Sequence, residues 1–240
     1  MAVLAGPVAA AERVVSLNLC TDQLLVLLAP EKIVALSRLA RDPALSFVAM
    51  DAARLPQVRA DAEAVLRLRP DLVLAGGYGA QFAVVAVAAR GIAVLRVGLP
   101  GGFEAIRAQV RQVAVALGAT ARGEALIADM DRRLPSLQAD GGTAMLLEPR
   151  GWTSGPGTLG DAVLRAAGYR NVGGRRMGLE ALLANPPDVL VTTEAPAWPS
   201  LATAMLDAPA LRGVARRRYR AALLACAGPF TTQAVAEIAP

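Results

Sequence analysis

The chain of 240 residues contains no histidine, and Cys20 and Cys226 are its only cysteines. Serine–histidine triads, histidine zinc sites and clusters of four cysteines are therefore excluded by the residues available. Only 4% of the residues are aromatic, whereas 55% are hydrophobic, so alanine, valine and leucine must build the interior. This composition favours helices packed on strands over a β-sandwich.

Lysine is almost absent, because the net charge of +5 comes from arginine and Lys32 is the only lysine. Proteins that bind nucleic acid through a broad basic surface normally gather their basic residues on one face. Here the arginines are scattered along the chain, apart from short runs such as Arg216–Arg218. We therefore expect no nucleic-acid partner.

Two apolar stretches raise the question of a membrane or targeting segment. Leu72–Ala89 carries no charge, but three glycines and a glutamine interrupt it, so strand, loop and helix fit it better than a membrane span. Residues 1–11 are small and apolar, and Ala9 and Ala11 fit the cleavage end of a secretory signal, although no basic region precedes them. We interpret residues 1–11 as the remnant of a signal peptide, with a disordered or mis-started N-terminus as the alternative.

One stretch of sequence occurs twice, at residues 63–74 and 180–191. Each copy predicts a short amphipathic helix that begins with a glutamate, a proline that ends it, an aspartate in the turn and an apolar run. The offset is 117 residues both from Glu63 to Glu180 and from Asp71 to Asp188. Each apolar run is short enough to be a buried strand. The duplication predicts one lobe used twice.

Strands alternate with helices along the whole chain, which predicts an α/β fold with mostly parallel sheets covered by helices on both faces. The predicted strands are Arg13–Leu19, Lys32–Ser37, Leu72–Ala75, Ile92–Val97, Thr143–Leu147, Asn171–Gly173, Val189–Thr193 and Arg220–Ala225. Asn18 or Thr21 can cap the first helix, and Asp61 is placed to cap the helix that contains Glu63.

The predicted elements divide into two similar lobes, each a small, mostly parallel sheet flanked by helices, joined by one long helix. We place the N-terminal lobe at residues 12–119, the connecting helix at 120–139 and the C-terminal lobe at 140–240, with Ala121–Leu137 as the helical part of the connection. Each lobe is long enough to bury a core of its own.

In open α/β sheets, ligands bind beyond the carboxyl ends of the strands. The residues predicted at those ends are mostly aromatic, amide, hydroxyl or guanidinium groups. They are Asn18, Leu19, Cys20, Arg38, Arg41, Tyr78, Gln81, Arg150, Trp152, Thr153, Ser154, Trp198, Cys226 and Phe230. This set contains neither an acid–base pair nor a metal-binding triad. It therefore predicts a surface that binds a large molecule with a polar rim, with no catalytic residue and no metal ligand.

The segment Gly155–Gly160 matches the G-x-G-x-x-G pattern of dinucleotide-binding proteins. Six residues, Pro149 to Ser154, separate its first glycine from the preceding predicted strand, whereas the turn of a dinucleotide site is tight. Pro156 also removes a backbone donor. We interpret the segment as a glycine-rich loop that opens a helix.

Taken in order, these motifs resemble the two-lobed class III substrate-binding proteins of ABC importers for vitamin B12, ferric siderophores and haem. The resemblance extends from Arg13 to the end of the chain. It depends on four segments: Arg13–Asn18, Glu63 through Pro70–Val73, Thr153–Gly155, and Glu180 through Pro187–Asp188.

The resemblance implies an exported, periplasmic receptor that binds a metal chelate, a ferric siderophore or a corrinoid, between its lobes. It implies delivery of that ligand to a membrane permease served by an ATPase, with Glu63 and Glu180 docking into arginines of the permease. We expect a monomer without a cofactor of its own. The helix macrodipole offers a purely structural reason for a glutamate in the first turn of a helix.

The sequence also departs from the family pattern. Leu224–Ala227 stands where B12-binding members tend to have a tryptophan near the last strand, and the lack of histidine argues against histidine ligation of haem iron. The alternative is a two-lobed α/β enzyme that binds a phosphorylated or nucleotide-sugar substrate through arginines, and a third is an interaction or sensor domain. Cys20 and Cys226 could form a disulfide, remain free thiols or ligate a bound metal.

Overall fold

A computed structural model describes residues 10–134, 141–174, 176–194 and 208–240, and in these ranges eight strands form two parallel four-stranded sheets. Contacts divide the chain into two compact units, Met1–Leu99 with Arg107–Ile127 and Pro100–Ile106 with Ala128–Pro240. Residues 1–9 of the predicted signal remnant, residues 135–139 of the predicted connecting helix and residue 140 lie outside the described ranges. The sequence-based domain limits stay a prediction.

The first unit contains a sheet of strong β-formers covered by helices. Its elements are β1 (Val14–Ser16), α1 (Leu19–Leu28), β2 (Ile33–Ala35), α2 (Ala49–Ala52), α3 (Ala62–Arg67), β3 (Leu72–Gly76), α4 (Gln81–Ala88) and β4 (Ala93–Val97). The strand order is β2-β1-β3-β4. Val15, Val65, Val73, Val84 and Val87 form much of the core, so small branched side chains fill it in place of aromatic ones.

Two helices of equal length follow, α5 (Phe103–Ala116) and α6 (Thr120–Arg133). One limit between the two units falls inside α5, after Ile106, and another falls inside α6, after Ile127. Gly123 of α6 lies against α5, because an added Cβ there would be 2.7 Å from the Cβ of Ala114. None of the helices in the described ranges is long and apolar enough to span a membrane.

The second unit repeats the first arrangement. Its elements are β5 (Thr143–Leu146), α7 (Leu159–Ala166), β6 (Arg170–Asn171), α8 (Leu179–Ala184), β7 (Val189–Thr193), β8 (Ala215–Tyr219) and α9 (Thr232–Ile238). The strand order is β6-β5-β7-β8, which matches the first sheet position by position. Met145, Leu147, Leu182 and Leu190 belong to its core. The predicted fold class, two similar α/β lobes, is confirmed.

The duplicated Pro-Asp turn makes the same contact in both units. The carboxylate of Asp71 accepts hydrogen bonds from the backbone N–H groups of Glu12 and Arg13, at 2.8 and 3.0 Å. The carboxylate of Asp188 accepts from the backbone N–H and the hydroxyl of Thr143, at 2.7 and 2.6 Å. Each aspartate therefore joins the turn before one central strand to the beginning of its neighbour.

The helix caps agree with the sequence, and they resolve one alternative. Asn18, rather than Thr21, caps α1, because its side-chain oxygen accepts the N–H of Cys20 at 2.9 Å. Asp61 caps α3 as predicted, since its carboxylate accepts the N–H of Ala64 at 2.8 Å.

The prediction of a last strand at Arg220–Ala225 is wrong. The strand is β8, and Ala221–Leu223 forms a short 3-10 helix after it. Because β8 lies at one edge of the described sheet, Arg216, Arg217 and Arg218 can stay in contact with water while their backbone pairs with β7. The apolar residues that follow are the more strand-like sequence, and this misled the assignment.

Candidate functional site

The carboxyl end of β1 leads directly into α1, and two predicted ligand-binding residues there serve the fold. Asn18 caps the helix, and its amide fills the space beside Gly76, where an added Cβ would be 2.6 Å from the Asn18 nitrogen. Leu19 is buried. Cys20 is half-buried in the first turn of α1.

A buried carboxyl group holds the loop that follows β2. Asp22 of α1 accepts hydrogen bonds from the backbone N–H and the hydroxyl of Ser37. Burial raises the pKa of Asp22 to about 6, and the hydrogen bonds from Ser16 and Ser37 oppose that rise only in part. Ser37 immediately precedes the 3-10 helix Arg38–Arg41, so Asp22 positions the segment that contains the two predicted arginines.

The two arginines of this segment differ. The guanidinium of Arg41 donates to the backbone oxygens of Ala52 and Leu55, at 3.3 and 2.5 Å, which ties it to the loop around α2. Arg38 is exposed, and its side chain makes no hydrogen bond to any other described residue. Arg38 is therefore the guanidinium that a ligand can reach in this loop.

The loop after β3 presents aromatic side chains to solvent. Tyr78 is 77% exposed. Gln81 accepts a hydrogen bond from Arg96 at 2.6 Å and donates to Gly77 at 3.1 Å. Phe82, which the sequence reasoning missed, is 95% exposed. The available signal was an aromatic residue in the first turn of the helix that follows a central strand.

In the second unit, the loop from β5 to α7 contains four predicted site residues. Trp152 is 55% exposed, and Arg150 is exposed and adopts a left-handed backbone conformation with φ of 63°. The Thr153 hydroxyl accepts the N–H of Gly174 at 2.8 Å, and Ser154 packs against Gly160. Trp152 and Arg150 thus face solvent, while Thr153 and Ser154 stabilise the loop.

The glycine-rich motif is a loop that opens a helix, as predicted. Thr158 caps α7, and the buried carboxylate of Asp161 accepts the N–H of Gly157 at 3.2 Å and the side-chain amide of Asn171 at 2.9 Å. A nucleotide phosphate would need backbone donors of this kind. Here the protein supplies its own anion, which would also repel a phosphate.

Two polar residues at the carboxyl ends of β5 and β8 were missed by the sequence reasoning. Glu148 follows β5, and burial raises the pKa of its carboxyl group above the ordinary value, although the residue as a whole is exposed. Tyr219 ends β8 and is 3% exposed. Burial, followed by the charge of Glu148, raises the pKa of Tyr219 well above its ordinary value.

Of the three remaining residues predicted to bind ligand, the structure describes two, Cys226 and Phe230. Cys226 and Phe230 are buried, so neither offers a large surface to solvent. Neither Cys20 nor Cys226 is a free thiol, which removes one of the three alternatives for the cysteines. Trp198 lies outside the described ranges. Within those ranges, no group of three or more Cys, Asp or Glu side chains could hold a metal ion.

The two predicted docking residues occupy equivalent positions, each in the first turn of its helix. Glu63 of α3 is exposed and forms an ion pair with Arg67 at 2.7 Å. Glu180 of α8 is exposed and makes no ion pair or hydrogen bond with any described residue. A groove of about 680 Å³ lies between α3 and α4 beside Glu63 and is lined mainly by alanines and arginines.

Comparisons with known proteins identify the family and the fold of the chain. The sequence profile of the periplasmic binding protein family matches residues 14–211. No curated protein sequence matches the chain significantly. A periplasmic heme-binding protein from Pseudomonas aeruginosa superposes with a TM-score of 0.74 at 24% identity, covering 95% of this chain and 91% of that one.

Two other solved structures of this fold are of proteins for other classes of ligand. An Fe3+-hydroxamate transport protein from Saccharomonospora viridis has a TM-score of 0.66 at 19% identity, over 95% of this chain and 92% of that one. The molybdate-binding protein MolA from Haemophilus influenzae has a TM-score of 0.64 at 18% identity, over 87% and 78%. At these identities the likeness establishes the fold.

Proposed function

This chain belongs to the periplasmic binding protein family, and on that premise we propose that it is the periplasmic substrate-binding protein of an ABC importer. The family and the similar structures are transport proteins. The expectation of a binding protein is therefore confirmed, and the alternative of an enzyme for phosphorylated or nucleotide-sugar substrates has no support.

The proposed ligand is a metal chelate, either a ferric siderophore or a corrinoid. The observation that carries this proposal is the set of exposed aromatic side chains at the carboxyl ends of the strands, Tyr78 and Phe82 in one unit and Trp152 in the other. Exposed aromatic groups lose unfavourable contact with water when a ligand covers them. Arg38, whose side chain has no partner among the residues that the structure describes, adds a cation for an acidic or carbonyl oxygen of the ligand.

The proposed partner is a membrane permease with its ATPase, and the proposed state is a monomer. Glu63 and Glu180 are exposed, lie in corresponding helices and come from different units. These properties support a role in docking to basic side chains of the permease. No resident cofactor is proposed.

The ligand proposal can be tested by titrating the purified protein with ferrioxamine B, cyanocobalamin and haemin while tryptophan emission and melting temperature are followed. A ligand present at about 100 times its Kd should stabilise the protein by about 2.7 kcal/mol. We expect at least one chelate to quench tryptophan emission and to raise the melting temperature.

Trp152→Phe should remove part of the quenching with only a small loss of affinity, because an aromatic ring remains. Tyr78→Ala should weaken binding more than Val115→Ala, a control at an exposed position of α5. The proposed ligand class is wrong if no chelate changes either signal at a concentration of about 100 μM, since micromolar binding would be detected there.

A further inference from the structure

Two consecutive residues of α1 hold the loop that contains Arg38, one on each side of it. The carboxylate of Asp22 accepts the backbone N–H of Ser37 at 3.0 Å. The side-chain oxygen of Gln23 accepts the backbone N–H of Phe47 at 2.7 Å. Both α1 side chains have an exposed fraction of 0%, and a hydrogen bond away from water is electrostatically stronger than one at the surface. The helix therefore fixes the backbone before and after Arg38.

Between these two points the chain forms a turn that is stabilised by its own hydrogen bonds. The backbone oxygen of Asp42 accepts the N–H of Ser46 at 2.7 Å, and its carboxylate accepts the N–H of Ala44 at 2.9 Å. Because the turn holds itself together, the loss of an anchor on α1 would shift the turn as a unit, and Arg38 would move with it.

The Gln23 side chain has a further hydrogen-bonding group on the same side of α1. Its Nε2 atom and the Oγ atom of Ser46 are both buried, and neither has a partner among the described residues. The two atoms are near each other, because Ser46 is joined to Phe47, whose nitrogen lies 2.7 Å from the oxygen of the same amide. Buried polar groups are almost always hydrogen-bonded, often to an internal water. One water between the amide and the hydroxyl would link Gln23 to the turn a second time.

We propose that Gln23 is a positioning residue for ligand binding, which holds the turn from Ser37 to Phe47 on α1 so that Arg38 stays beyond the carboxyl end of β2. This inference rests on the proposed function, in which Arg38 contacts an oxygen of the chelate. Burying an amide is unfavourable unless its hydrogen bonds compensate, and here they do so by fixing the turn. A segment that is already in place loses less conformational entropy when the ligand binds.

The first test needs no ligand, because hydrogen–deuterium exchange of the full chain reports how often the turn opens. Gln23→Met keeps the size of the side chain but removes its polar atoms, so the amides of residues 44–49 should exchange about fivefold faster. Gln109→Met is the matched control, since Gln109 of α5 is also buried and its amide nitrogen also has no described partner. It should leave exchange in the turn unchanged. Unchanged exchange in Gln23→Met would overturn the inference.

The second test measures affinity for ferrioxamine B and cyanocobalamin by isothermal titration calorimetry. For whichever chelate binds, Gln23→Met should weaken binding about fivefold and Arg38→Ala about tenfold. Because Gln23 acts through Arg38, the double variant should bind at most about twofold more weakly than Arg38→Ala alone. A general loss of structure would instead multiply the two effects. That result would overturn the inference while the role in chelate binding stands.

Ser46→Ala is a milder variant that keeps the bond between Gln23 and Phe47. It removes only the hydroxyl, so exchange in the turn and the dissociation constant should each rise about twofold. If Gln23→Met does not fold, Ser46→Ala decides alone, and no change in either measurement would overturn the inference. If neither chelate binds, the proposed ligand class fails, and the role of Gln23 in binding fails with it.

Discussion

The two units share a scaffold but differ where their strands end. Both sheets have the same strand order, and in both an aspartate after a proline ties the central strands together. In the first unit, two residues separate β1 from α1, whereas in the second unit the whole segment 147–158 separates β5 from α7. The short connection makes Asn18 a helix cap, while the long one frees Trp152 to face solvent.

The chemistry of the two edges differs as well. The first unit offers one exposed cation, Arg38, and two exposed aromatic rings, Tyr78 and Phe82. The second offers the carboxylate of Glu148 and the phenol of Tyr219. The duplicated residues are those that hold strands in place, and the residues after the strands are free to diverge. The carboxyl edges of the two sheets therefore differ in their chemistry.

The largest effect should come from reversing the charge of Glu63 and Glu180, the residue in each unit that we propose for docking. In Glu63→Arg/Glu180→Arg, the new cations would face basic side chains of the permease, and such a juxtaposition costs several kcal/mol. We expect uptake in cells to fall more than tenfold while ligand affinity stays within about threefold. Glu31→Arg, at another exposed glutamate, is the matched control and should transport normally.

The two single reversals, Glu63→Arg and Glu180→Arg, should differ in their effect on uptake. Glu63 must leave its ion pair with Arg67 before it can dock, whereas Glu180 has no such partner among the described residues. An exposed pair of this kind contributes about 0.3–0.5 kcal/mol, so Glu180→Arg should reduce uptake about twofold more than Glu63→Arg. Normal transport by the double variant would leave both glutamates as ordinary first-turn residues favoured by the helix dipole.

The next largest effect is a pH dependence of stability that arises from Asp22 in the first unit. The pKa of Asp22 is about 6 in the folded protein, against an ordinary value of 3.8. The folded state holds this proton more tightly, so the stability that it gives is complete below pH 3.8 and is lost as the pH rises through 6. Relative to Asp22→Asn, the free energy of unfolding should fall by about 2 kcal/mol between pH 4 and 7.

Urea unfolding of both proteins at several pH values measures this difference. Asp161→Asn provides the comparison from the second unit, where the carboxylate is bound by Gly157 and Asn171. A constant difference between the unmodified protein and Asp22→Asn from pH 4 to 7 would contradict the assignment.

The smallest effect tests whether the two Pro-Asp turns are energetically equivalent. The Thr143 hydroxyl, and then its backbone N–H, hold the pKa of Asp188 below the ordinary value, whereas Asp71 binds backbone N–H groups only. Thr143→Val and Asp188→Asn should each lower the melting temperature by about 2–4 °C. The double variant should lose less than the sum of the two, because both changes break the same contact.

Asp71→Asn supplies the matching measurement in the first unit, and a similar drop in melting temperature is expected. If the effects of Thr143→Val and Asp188→Asn simply add, the hydroxyl and the carboxylate do not act on each other. If Asp71→Asn and Asp188→Asn differ by several degrees, the two turns are not energetically equivalent.

Local sequence rules predicted most of the scaffold. The Pro-Asp turn placed β3 and β7 within one residue, and Asp61 identified the beginning of α3. These features depend on a few neighbouring residues, so a single sequence contains them. The run Arg216–Arg218 was misassigned because an edge strand tolerates charge, and its position at an edge depends on the order of strands in the sheet.

The ligand-facing edge was predicted less well, for a related reason. Tyr78 and Trp152 were identified from their positions after strands and are exposed. Glu148 has no surrounding pattern, and Tyr219 was missed together with the strand that it ends. Whether such residues are desolvated depends on chain segments far away in sequence, which a reading by motif does not contain.

The arginines of β8 have a consequence for the behaviour of the protein in concentrated solution. An exposed edge strand can pair with a strand of another molecule, and this is a common beginning of aggregation. Three consecutive arginines on β8 would place like charges next to each other in any pairing between two copies. Repulsion between them should keep separate copies from adding strands to one another. The three arginines that made β8 hard to recognise as a strand from the sequence should therefore also protect the protein from self-association.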